Sequence, residues 1–163
     1  MPFYATRSAL WISGLATLLL TVVMIVVFAP LGEKGGIEIV ALQFSFTPDR
    51  FAAIVARWGD DGVALFRSRM WLDYLYPTAY SFLLAGLLFR KSGKGTFVWV
   101  PFLAGLFDFI ENTIHLKILG KPNLFSPLFA FSPSLVLLAS LLATVKWMGI
   151  LGSLGILLCP MRR

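Results

Sequence analysis

Residues 97–117, FVWVPFLAGLFDFIENTIHLK, decide the fold, because an apolar stretch of membrane-crossing length here carries Asp108, Glu111, Asn112 and His115. A helix needs roughly 20 mostly apolar residues to cross the hydrocarbon core of a bilayer, and this stretch supplies them. The four polar residues fall at i, i+3, i+4 and i+7, so a helix of about 3.6 residues per turn stacks them on one face. Ionisable groups at membrane depth are costly and turn toward a bundle interior or a wet cavity. A helix with such a stripe needs other helices around it.

The rest of the chain provides them. Runs at about 9–30, 71–90 and 134–158 are similarly long and apolar. Hydrophobic residues make up 58% of the 163 and charged ones 13%, with mean hydropathy +0.84. Soluble domains carry about 25% charge, so a water-soluble globular core is excluded. The expected fold is all-α: a polytopic membrane four-helix bundle, one transmembrane domain over 1–163, with an amphipathic helical segment between the first two spans. The first run exceeds the roughly 7–15 apolar residues of a signal-peptide core, and Val27-Phe28-Ala29-Pro30 is a poor cleavage site, so it is expected to stay as a helix.

The net charge of +6 has a membrane explanation, since many basic residues flank the apolar runs. Membrane lipids are the expected partners, and nucleic acid is not. Arg90, Lys91 and Lys94 crowd the second connection, and Arg7, Arg162 and Arg163 flank the termini. With four spans all of these share one side, which the positive-inside rule makes cytoplasmic. The expectation is a multi-pass protein of a bacterial inner membrane with both termini cytoplasmic. The long segment from Leu31 to Met70 adds no net bias, having five basic and five acidic residues. The single cysteine, Cys159, excludes an intrachain disulfide framework.

The extracytoplasmic segment, about 47–69, has its own pattern. Thr47 is placed to cap a helix that starts at Pro48, and Gly59 is placed to end it. Phe51, Ile54, Val55 and Trp58 recur at i, i+3, i+4 and i+7, opposite Asp49, Arg50 and Arg57. Such a stripe either lies in the membrane interface or caps the outer mouth of the bundle. A second helical stretch begins near Asp60 and Asp61 and runs into the second span.

The second span repeats the polar spacing of the third, with Asp73, Tyr76, Pro77 and Tyr80 at i, i+3, i+4 and i+7. Antiparallel packing sets Asp73 near the level of His115 and Glu111, and Tyr80 deeper, near Asp108. The fourth span brings Lys146 to the depth of Asp108, and an ion pair between them is expected. Ala139, Ala143 and Gly149 accompany Lys146 and permit close helix approach, with Ser140 and Thr144 on a neighbouring face. Ser13, Thr17 and Thr21 of the first span are read as packing residues whose hydroxyls return to their own helix.

These residues admit several functions. A carboxylic acid held among apolar walls keeps its proton more readily than one in water and can deliver it to a lipid-like substrate. Glu111 is the candidate acid, His115 its proton partner and Asp108 the third candidate catalytic group. Asp73, Tyr76, Tyr80, Asn112 and Lys146 are the candidate ligand-binding residues. Trp71, Tyr74, Phe107 and Phe109 are further aromatics around the expected cavity, although Trp71 and Tyr74 also suit an interfacial belt. Convergence of Asp73, Asp108, Glu111 and His115 on a metal is disfavoured by the single histidine, and a Schiff base on Lys146 by the nearby carboxylates. No metal and no cofactor is expected.

The leading expectation is a buried polar cavity that binds a small lipophilic or lipid-like ligand, with acid/base chemistry on that ligand left open. The alternative is a structural or proton- or cation-conducting subunit, in which the polar residues fix helix pairing or form a relay. Four helices enclose only a narrow conduit, so conduction would call for a homo-oligomer.

The strings WLDYLYPTAY (71–80) and FDFIENTIHL (107–116), followed by TVKW (144–147), resemble a pattern of small bacterial four-span membrane proteins without an assigned activity. That resemblance covers Phe44 to Trp147 and implies the fold only. In size and buried acids the chain is also similar, in architecture alone, to the emopamil-binding and sigma-2 receptor group, which includes sterol isomerases. No residue role is carried over from that group.

Overall fold

The computed structural model describes residues 1–31, 37–93, 95–120 and 131–159, and all its regular elements are helices. Five are longer than a single turn: α1 (Arg7–Val27), α2 (Ile37–Gln43), α3 (Pro48–Ser92), α4 (Trp99–Leu119) and α5 (Pro133–Leu158). Three stretches are long and apolar enough to cross a membrane: Arg7–Val27, Gly95–Leu119 and Pro133–Leu158. The second half of α3, which holds the expected span 71–90, is not one of them. Asp73, Pro77 and three tyrosines make it too polar by composition. Lys94, Arg162 and Arg163, which enter the charge argument for orientation, lie outside the described residues.

Local chemistry explains the boundaries. Thr47 caps α3 by accepting from the Arg50 amide, and Pro48 opens its first turn. Gly59 breaks α3 with φ 62° and ψ −174°, backbone angles that a side chain disfavours. The expected end of the amphipathic helix and start of a second helix are therefore a sharp bend inside one element. Gly93 closes α3 in the left-handed conformation at φ 64°. Lys91 Nζ then donates to the carbonyls of Leu157 and Cys159, joining the end of α3 to the end of α5.

Phe51, Ile54, Val55 and Trp58 are all buried, so the apolar stripe of the amphipathic segment packs against the other helices. They share a core with Phe28 at the C-cap of α1, Ile114, Ile118 and Leu119 of α4, and Val136 and Ala139 of α5. Arg57 on the opposite face pairs with Glu38 of α2 at 2.7 Å. Outside, α1 shows lipid-like surface: Trp11 is 79% exposed and Ile12 70%, and Ser13 is its one buried residue. Apolar exposure on this scale is a mark of a membrane protein.

In the bundle α3 is central. It packs on α1 and α4 and, less extensively, on α5, while α4 and α5 form the closest pair. Gly105 of α4 lies against Ser81 of α3, and Gly149 of α5 against Ala104 of α4. Small residues therefore mark the tightest crossings.

Candidate functional site

The site starts from a proline. Pro77 lies inside α3 and has no amide hydrogen, so the Asp73 carbonyl four residues earlier loses its helical partner. Asn112 replaces it, donating from Nδ2 to Asp73 O at 3.0 Å. The polar stripes of α3 and α4 thus meet in the register expected from their spacing.

One helical turn before Asn112 on α4, Asp108 Oδ2 accepts from the Tyr80 hydroxyl at 3.1 Å. Lys146 of α5 donates to the other oxygen, Oδ1, at 3.1 Å, which makes the expected ion pair. Asn112 Nδ2 also approaches Oδ1, at 3.3 Å. Lys146 Nζ lies 2.6 Å from Glu111 Oε2 as well, so one ammonium bridges two carboxylates. This second approach is a close charge contact without hydrogen-bond alignment, and neither Glu111 oxygen has an aligned donor among the described residues. His115 Nδ1 stands 3.8 Å from Glu111 Oε1, beyond hydrogen-bond reach, and its ring lies 6.1 Å from that of Phe51, tilted by 31°. Asp108, Glu111, Asn112, His115 and Lys146 are at most 3% exposed, and Asp73 is 6% exposed.

A cavity of about 610 Å³ opens beside this cluster. Asp73, Tyr76, Tyr80, Asp108 and Lys146 line its polar side. Its other walls are mainly apolar and come from α1 and its C-cap, through Met24, Ile25 and Phe28, and from α2, through Ile37, Ile39 and Val40. Glu111, Asn112 and His115 do not line it. Of the aromatics expected around it, Tyr76 and Tyr80 do, whereas Trp71 faces outward at 55% exposure and Tyr74 bonds Thr113 on the surface of α4. Phe107 and Phe109 are not part of the wall. Among the described residues no group of three or more metal-type ligands gathers.

Sequence reasoning missed one wall. Gln43 and Trp147 line the cavity and join across it, with the indole donating to Gln43 Oε1 at 3.1 Å. The signal was present in IEIVALQF (37–44), a short apolar run with Glu38 and Gln43 embedded in it. Thr21 also reaches the wall; its hydroxyl returns to Thr17 O at 2.8 Å, as expected for packing, and lies 3.4 Å from the Tyr76 hydroxyl. Comparison with protein-family models, with curated proteins and with solved structures finds no match to this chain.

Proposed function

We propose that the chain is a four-span membrane protein, with the second half of α3 as the span between α1 and α4, and that its cavity binds one lipid-like molecule. The observation that carries this reading is the cavity itself, with apolar walls from α1 and α2 and a polar side made by Asp73, Tyr76, Tyr80, Asp108 and Lys146. Its volume, about 610 Å³, falls within the roughly 300–1,000 Å³ of small-molecule sites. Support for the fourth span comes from packing: α3 lies between α1, α4 and α5, so its polar residues face protein while the three more apolar helices face outward. Both termini are then on one side, which the basic residues make cytoplasmic.

If the bound molecule is also transformed, proton transfer at the wall falls to Asp108 or Asp73, the two carboxyl groups that reach the cavity among the described residues. Glu111 and His115 then serve as supports of Lys146. The test is mass spectrometry of protein purified in mild detergent. A stoichiometric amphiphile that is lost from a Tyr80→Phe, Asp108→Asn double variant supports the reading; chains that never retain or take up any amphiphile overturn it.

A second reading has its own observation. The contacts of Lys146 with Asp108 and Glu111 join α5 to α4 in the interior, and Tyr80 adds α3. Such a network fixes which helices pair and in what register, without any ligand.

A further inference from the structure

The Asp73 carboxyl differs from the other two acids of the cluster. Asp108 takes donors from Tyr80, Asn112 and Lys146, and Glu111 contacts Lys146. The Asp73 side chain has no hydrogen-bond or ion-pair partner among the described residues, although the residue is 94% buried and lines the cavity. Its backbone carbonyl is the part that Asn112 holds. A carboxyl group that reaches an apolar-walled cavity without a donor of its own is free to accept one from whatever enters that cavity. Three carboxyl groups stand here against one lysine, which contacts Asp108 and Glu111 and leaves Asp73 as an acceptor, so the group that completes it is a hydrogen-bond donor.

The packing of the helices indicates a route. Among the membrane-length helices α1 finds its substantial packing on α3, whereas α5 packs on α4 and α3. The cavity nevertheless draws its walls from α1, through Met24 and Ile25, and from α5, through Trp147 and Ile150. It therefore occupies the space between two helices that do not close on each other. A further wall comes from α2, seven residues long, fastened to α5 by the Gln43 to Trp147 hydrogen bond and, just past its end, by the Phe46 amide donating to Ser140 Oγ at 3.0 Å. Both flanking helices present apolar side chains outward, Ile25 at 64% and Leu151 at 61% exposure, where acyl chains would lie.

We propose that the cavity is filled sideways from the bilayer, through the gap between α1 and α5 beneath α2, by one amphiphile whose hydrogen-bond-donating head group ends on Asp73. This rests on the ligand-binding reading above and adds the head-group chemistry and the path. The tail lies along Ile25, Phe28 and Ile150, and α2 is the part that yields as the molecule enters.

The test uses Trp147 as a reporter in the full chain, with Trp11, Trp71 and Trp99 changed to Phe so that the outward indoles are silent; Trp58 stays as a constant background. The protein is reconstituted in phosphatidylcholine vesicles and titrated with a long-chain alcohol carrying two bromines at mid-chain, and separately with its methyl ether. The alcohol should quench Trp147 saturably and the ether should not. Asp73→Asn, which keeps the size, and Asp73→Ala should each weaken the saturable quenching by about tenfold or more, with circular dichroism confirming that each variant is helical. Gln43→Leu should speed the approach to quenching by about fivefold, the loss of one latch hydrogen bond. Saturable quenching that is equal for alcohol and ether and unchanged in both Asp73 variants overturns the head-group assignment. A loading rate unaffected by Gln43→Leu overturns the lateral path. Absence of saturable quenching by either probe overturns the underlying ligand-binding reading instead.

Discussion

Lys146 Nζ sits 2.6 Å from Glu111 Oε2, in the interior where α5 meets α4, and the same ammonium reaches Asp108 Oδ1 at 3.1 Å. One cation thus offsets two carboxylates that have almost no solvent of their own. Removing it should cost more than removing a surface charge, since uncompensated buried charge is what makes a broken pair expensive. Lys146→Met is expected to destabilise by about 3–5 kcal/mol. Adding Asp108→Asn and Glu111→Gln to that variant should recover most of the loss, measured by thermal unfolding in detergent. A triple variant no more stable than Lys146→Met would refute the charge explanation.

Glu111 and Asp108 share Lys146 but differ in their relation to the cavity, which only Asp108 lines. Glu111→Gln and His115→Ala should therefore lower stability by about 1–3 kcal/mol, the range for disturbing buried polar groups, while amphiphile binding per folded chain stays within about twofold. Binding measured against the folded fraction separates the two effects. If Glu111→Gln instead binds normally, is fully stable and abolishes turnover of a ligand, the acid role expected from its spacing is reinstated.

Helix periodicity carried most of the buried cluster, because i, i+3, i+4 and i+7 spacing fixes a face whatever surrounds it. The helix start at Thr47 and its break at Gly59 follow from local pattern, whereas the Tyr80 to Asp108 contact and the Asp108 to Lys146 pair needed the antiparallel order of the helices and a count of depth along them as well. The distinction between Asp108 and Glu111 follows from neither, since both occupy one stripe and only the position of α1 and α2 decides which side of it is hollow. Asn112 shows another limit. Its polar spacing was legible, but its work on the carbonyl freed by Pro77 depends on how α3 and α4 meet. The short α2 escaped notice because seven residues carry too little periodicity to be separated from an apolar loop.

Glu38 is buried on α2 and accepts two hydrogen bonds from Arg57, at 2.7 and 3.3 Å. Arg57 is 44% exposed, so solvent screens the pair and its net worth is modest. Glu38→Ala is expected to cost about 1–2 kcal/mol globally but to loosen α2 locally, raising amide exchange over Ile37–Gln43 by about five- to tenfold. Hydrogen exchange with mass spectrometry reads this directly. Unchanged exchange over α2 would show that the hydrogen bonds from Trp147 and Phe46 hold it unaided.

Gly86 and Gly152 make a matched pair that tests the packing of α1. A Cβ on Gly86 would run into the Tyr4 carbonyl and the Leu10 side chain, so the start of the chain and α1 are seated against a bare stretch of α3. A Cβ on Gly152 of α5 would meet nothing within 4 Å. Gly86→Ala should destabilise by about 1–3 kcal/mol, the cost of overpacking a tight contact, since a backbone oxygen cannot swing aside as a side chain can. Gly152→Ala should be neutral or stabilising by up to about 1 kcal/mol, because alanine restricts the unfolded chain and suits a helix interior. Thermal unfolding of the two variants side by side gives opposite signs if α1 is docked on α3 as described. Equal, small effects would mean that α1 does not press on Gly86, and the wall it gives the cavity would have to be redrawn.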